Sequence, residues 1–224
     1  MVFYAYSKYS KDDVSWRYLI TASSLEVLDE WYRAMRKAVP TDAVTRVSPE
    51  FYIHDANQVD LGRCTYSTRA GIIGFAPEFM NRMTFTLLND VGGTIYWTFY
   101  NRHVTNHISG NSFFIRSKSD PSVFWYASGN EIYAAKGGRT KFCITGKDLE
   151  KGAVMIRGDS ISISPIDNRN TSVSVASDSS LVLDPRGADF KFGEFKYGFL
   201  SNGWENKTRV FKVRDDGEEW ELVA

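Results

Sequence analysis

The chain has 224 residues, with 27 Lys and Arg against 27 Asp and Glu, so its formal net charge is zero. Without a basic excess to neutralise phosphates, it is not composed for a nucleic acid or for an anionic membrane surface. A hydrophobic content of 43% supplies a packed core and excludes a wholly disordered chain, and the length fits one large domain or two modest ones.

The first residues have no signal-peptide pattern, because Lys8, Lys11, Asp12 and Asp13 interrupt any apolar run. No stretch approaches the ~18 apolar residues that span a bilayer. A cytoplasmic location is therefore expected, with Cys64 and Cys143 as free thiols. Without a secretory signal the sequons Asn170-Thr171-Ser172 and Asn206-Lys207-Thr208 carry no weight.

In chain order, residues 2–6 and 16–21 read as strands around a charged turn at 8–13. Ser23 and Glu26 form a capping box, and Leu25, Leu28, Tyr32, Met35 and Val39 follow at helical spacing, widened by Val27, Trp31 and Ala34. Arg33, Arg36 and Lys37 complement the helix dipole and Pro40 ends the helix. Strands are expected at 44–47 and 51–54, a long loop with a short strand over 55–75, and a short helix over 77–83 opened by Pro77. Residues 84–89 and 94–100 flank Asp90-Val91-Gly92-Gly93, a hairpin pattern. Residues 1–108 thus read as an α+β domain with one main helix. Within it, Tyr18 to Val39 resembles the last strand and C-terminal helix of a pleckstrin-homology domain. The resemblance covers about a tenth of the chain; that family places several strands before the helix, and the ~20 residues here leave room for about two.

Residues 109–224 read as short strands in quartets. The first falls at 113–116, 123–127, 131–135 and 141–144; the second at 154–157, 160–164, 171–175 and 181–183; the third at 190–192, 198–201, 210–213 and 220–223. The quartets begin about forty residues apart, and a period of that size demands a repeat reading. Three quartets resemble a β-trefoil of twelve strands, in which the last strand pairs with the first and leaves no open edge. An ordinary β-sandwich is the competing architecture. The fold class is accordingly mostly β, an α+β domain followed by a trefoil, and the layout is similar to fungal trefoil lectins joined to a second domain. The resemblance implies carbohydrate binding. Ricin-type sites cannot be transferred, since their Gln-x-Trp signature is missing and Gln58 is the chain's one glutamine.

Sugar recognition needs an aromatic face for C–H groups and carboxylates or amides for hydroxyls. The first quartet offers Asp120, Trp125, Tyr126 and Asn130; in an alternating strand Trp125 and Tyr126 face opposite ways, so at most one enters the core. The third offers Asn202, Trp204, Glu205 and Asn206 in a polar turn. Asp120, Trp125, Asn130, Trp204 and Asn206 are the candidate ligand-binding residues, with Trp125 also readable as a core ring. His103 and His107 lie four apart, but no further ligand completes a metal site. No Gly-x-Ser-x-Gly elbow or phosphate loop occurs, and Arg157-Gly158-Asp159 reads as a tight turn. No catalysis, cofactor or metal is expected. The expected partner is a carbohydrate or glycoprotein, without nucleic acid or membrane, and the outer face of the first helix offers a homodimer contact. A protein-interaction module, such as a trefoil protease inhibitor or scaffold, is the alternative.

Overall fold

The computed structural model describes residues 2–67, 74–88, 104–201 and 207–224. The chain is mostly β, and its packing separates two compact units, Met1–Asn106 and His107–Ala224.

The first unit contains β1 (Phe3–Tyr9), β2 (Tyr18–Ala22), α1 (Leu25–Ala38), β3 (Val44–Ser48), β4 (Phe51–His54) and β5 (Met83–Leu87). The sheet order is β3-β4-β1-β2-β5, antiparallel except for the parallel β1–β4 pair. The amphipathic pattern of α1 places Leu28, Trp31 and Met35 in the core, all at 0% exposure, against Ala5, Ile20 and Tyr52. Burying each of these helix side chains contributes roughly 1.5–3 kcal/mol. The N-cap is Ser24, not Ser23: its backbone is extended (φ −164°, ψ 170°) and its Oγ accepts the Val27 N–H at 3.4 Å. The Ser23–Glu26 box therefore gives way to a cap one residue later.

Asp29 sits on the helix but is buried, because Arg46 of β3 reaches it with Nη2–Oδ1 at 2.9 Å. Arg46 also donates to the Tyr52 hydroxyl at 3.3 Å and to Asn106. The segment expected as a helix at 77–83 is a single 3-10 turn, Pro77–Phe79, and Met83 already belongs to β5. The turn Asp90-Val91-Gly92-Gly93 and the strand expected at 94–100 lie outside the described residues.

Among the described residues of the second unit there are eleven strands: β6 (Asn111–Ser117), β7 (Phe124–Ser128), β8 (Glu131–Ala135), β9 (Lys141–Gly146), β10 (Ser160–Pro165), β11 (Ser172–Val175), β12 (Leu181–Asp184), β13 (Phe190–Lys191), β14 (Phe199–Ser201), β15 (Lys207–Lys212) and β16 (Trp220–Val223). Alternation sends Phe113 and Ile115, Phe142 and Ile144, Ile161 and Ile163, and Trp220 and Leu222 inward from four of them. The strand expected at 154–157 is reduced to one bridge, Val154 to Ile108, because Asp159 Oδ2 takes the Ile156 N–H at 2.8 Å and folds the segment into a turn.

Two pairing patterns position everything else. The first is cyclic: β6 pairs with β7, β7 with β8, β8 with β15, β15 with β14, a bridge from Phe199 to Glu218 leads towards β16, and β16 returns to β6. The second is triangular: β8 meets β12 through Glu131 and Val182, β8 meets β15, and β12 approaches β15 through a bridge from Ser180 to Phe211. A further run, β6–β9–β10–β13, extends from the ring. Inside, Trp125 lies edge-on to Phe142, Phe199 and Trp220 with centroids 5.0 to 6.2 Å away, the geometry ring quadrupoles favour.

Candidate functional site

The outward face of the β7–β8 hairpin gathers the richest set of binding groups. The hairpin turns at Gly129, whose φ of +63° suits a residue without a side chain, and at the exposed Asn130. This turn sets the register, so Ser128 opposes Glu131 and Tyr126 opposes Tyr133. Directly paired residues point to the same side, so both tyrosine rings stand outward, each half-buried, while Trp125 and Ile132 point in. On the other side of β8, Arg209 of β15 opposes Tyr133 and Lys207 opposes Ala135. Two residues apart on one strand, Lys207 and Arg209 share a face, and Lys207 closes diagonally on Tyr133.

The contacts follow from this lattice. Lys207 Nζ lies 4.0 Å from the Tyr133 centroid and 5.6 Å from that of Tyr126, and donates to Ser128 Oγ at 3.1 Å. Glu131 accepts from both the Tyr133 hydroxyl and Arg209. Arg209 also faces Asp178, with Nη1 to Oδ2 at 3.6 Å. The Glu131 carboxylate, as acceptor of its proton, pushes the Tyr133 phenol above its ordinary pKa. Behind Tyr126 runs the segment 136–140: Thr140 Oγ1 accepts the Ala127 N–H at 2.9 Å, and Gly138 lies so close that a Cβ there would stand 2.9 Å from the ring. The result is two aromatic faces beside a carboxylate, a guanidinium, an ammonium and a hydroxyl, the combination a sugar ring with hydroxyl groups requires.

Of the five residues expected from the sequence, Asn130 belongs to the turn of this hairpin, where its carbonyl accepts the Leu183 N–H at 2.7 Å and its side chain is exposed. Trp125 is corrected to a core residue at 0% exposure: with Phe142, Phe199 and Trp220 around it, the ring has no face to offer. Asp120 precedes β7, at the far end from Asn130, and the five-residue strand between them spans about 17 Å. Its carboxylate accepts from the Ser122 hydroxyl at 2.6 Å and the Ser122 N–H at 3.0 Å and pairs with Lys136 at 3.0 Å. Those bonds, the Ser122 hydroxyl first, hold it down to about 2. Trp204 and Asn206 lie outside the described residues, as does His103; His107 packs its ring against Phe113 and Phe192. Tyr133, Lys207 and Arg209 escaped the sequence reading. Counting outward from the Gly129-Asn130 turn places Tyr133 beside Tyr126, but nothing local brings in β15.

Two other places were candidates. An open depression of about 360 Å3 is lined by Lys118, Ser119, Glu218 and Glu219. Its charges already bond within the protein: Lys118 to Glu219 at 2.7 Å, and Glu218 to the Ser201 hydroxyl at 3.0 Å. In the first unit Ser7 Oγ and His54 Nδ1 are 2.8 Å apart, a nucleophile-and-base distance, but both residues are buried, at 0% and 1% exposure. A substrate does not reach them. Among the described residues no cluster of His, Cys, Asp and Glu is suited to hold a metal ion, and no helix is long and apolar enough to cross a membrane.

No protein-family model matches this chain, and no curated protein matches it either.

Proposed function

We propose that this is a non-catalytic carbohydrate-binding protein with an α+β N-terminal domain and a β-trefoil C-terminal domain, and that the Tyr126–Tyr133 face is where the glycan docks. The observation that carries the function is the direct opposition of two outward tyrosines across β7 and β8, with Glu131, Arg209, Lys207 and Ser128 around them. Rings on a sheet face are held by two ladders, so they bind without the ordering cost of a loop. The trefoil reading is supported by first-to-fourth pairing within the first quartet, β6 with β9, and by the link from β16 back to β6. The mutual approach of β8, β12 and β15 fits the cap of such a fold, one corner from each quartet. A cytoplasmic site of action accompanies this reading.

The test is a glycan array probed with the whole chain, its Tyr133→Ala variant and its Trp204→Ala variant. Binding of a defined glycan set that falls at least about tenfold in Tyr133→Ala is expected, in line with the loss of a stacking ring in a binding hot spot. Loss in Trp204→Ala as well extends the site to residues 202–206. No glycan signal, together with inhibition of proteases in a panel, replaces this reading with the protein-interaction alternative.

A further inference from the structure

The tyrosine face carries two carboxylates, Glu131 and Asp178, and two cations, Lys207 and Arg209, but they are unevenly paired. Glu131 is occupied twice, by the Tyr133 hydroxyl and by Arg209, and Arg209 is satisfied a second time by Asp178. Lys207 is different. Its ammonium rests on the Tyr133 ring at 4.0 Å and gives one hydrogen bond, to Ser128 Oγ. Among the described residues no carboxylate lies within ion-pair distance of it. An ammonium has three N–H donors, and a ring face together with one hydroxyl leaves donor capacity that no other described residue is recorded as taking up. The residue is exposed, and its ammonium lies over the Tyr133 ring. Its position is therefore that of a fixed cation beside a stacking platform. Cation–π contact with two rings holds it there without neutralising it.

From this we infer that the ligand is an acidic saccharide, one whose ring stacks on Tyr126 and Tyr133 while a carboxylate or sulfate substituent takes a charge-assisted hydrogen bond from Lys207. The inference rests on the carbohydrate reading above and adds the sign of the ligand's charge. Arg209 does not compete for the anion, because Glu131 and Asp178 hold it. Ser128 then serves to aim the ammonium and, once the anion arrives, keeps its bond.

The experiment uses the whole chain on an array holding neutral glycans and glycans bearing uronate, sialate or sulfate groups, at low salt and at 0.5 M NaCl, with Lys207→Gln and Lys207→Arg alongside. Binding to acid-bearing glycans is expected, weakened by salt because the contact is partly exposed. Lys207→Gln is expected to lose about tenfold, the scale of one charge-assisted hydrogen bond, and Lys207→Arg to keep most of the affinity. Binding confined to neutral glycans overturns the inference and leaves the carbohydrate reading standing. So does acidic-glycan binding that Lys207→Gln leaves unchanged. An array with no glycan signal overturns both. The exposed side chain of Lys207 makes loss of folding in Lys207→Gln a small concern, and a thermal melt of each variant checks it.

Discussion

A methyl group at position 138 would stand 2.9 Å from one carbon of the Tyr126 ring and 3.1 Å from two more. Real Cβ atoms do not approach so near, so Gly138→Ala must push the ring off its place. The ring is half-buried and can move, so stability is expected to change by less than about 1 kcal/mol in urea titrations, while glycan affinity falls several-fold by calorimetry. Trp125, one residue before Tyr126, gives the opposite split. Trp125→Ala removes the ring that Phe142, Phe199 and Trp220 surround, and the expected cost is about 3–5 kcal/mol of unfolding free energy. Strand alternation made it legible in advance that these two neighbours face opposite ways. Which one goes inward was not legible, because the choice is made by rings that β9, β14 and β16 contribute from distant parts of the chain.

At the scale of elements, helix α1 was read almost entirely from its apolar spacing, and its start was misplaced by one residue. Two serines stand side by side there, and the Ser-x-x-Glu pattern points to the first, while the backbone turns helical only after the second. Ser24→Ala is therefore expected to destabilise the first unit by about 1 kcal/mol, and Ser23→Ala to leave it nearly unchanged, as measured by urea midpoints. Asp29 was invisible as a buried residue for a related reason. Its place on the helix is polar by sequence, and only the arrival of Arg46 from β3 makes burial tolerable. Removing one partner leaves a buried charge alone, so Asp29→Ala is expected to cost about 3–5 kcal/mol, whereas replacing both with apolar residues of similar size should cost far less. The β7–β8 hairpin was legible down to its strand limits within a residue, since a short turn fixes register locally. The attachment of β15 to it was not, because the Lys207–Ser128 contact joins residues 79 positions apart.

For the molecule as a whole, the same contrast separates what folds locally from what closes late. Arg116 of β6 bonds Glu221 of β16 across 105 positions, and no short pattern encodes that pairing; the forty-residue period was its only trace. The response to pH is likewise a property of distant groups acting together. Burial holds the His54 imidazole down to about 4 from its ordinary 6.5, with the backbone near Lys8 and the carboxylates of Asp55 and Asp60 opposing. The unfolded chain takes up that proton first, so this histidine's contribution is full above pH 6.5 and is lost as pH falls towards 4, up to roughly 3 kcal/mol. Burial raises the Asp29 carboxyl to about 6 from 3.8, outweighing Arg46. Here the folded chain takes up the proton first, so stability is gained as pH falls from 6 to 3.8, again by up to roughly 3 kcal/mol. The two effects share one window and oppose each other. Urea midpoints of the wild type are accordingly expected to change little between pH 6 and 4. His54→Gln should grow more stable on acidification through that window. Asp29→Asn, weaker throughout, should lose stability steeply through the same window. A His54→Gln profile that overlays the wild type would show that the buried imidazole does not govern this balance. Below pH 4 all three should fall together, as Asp12 and Asp55, whose carboxylates are held below their ordinary values by local hydrogen bonds, take up protons.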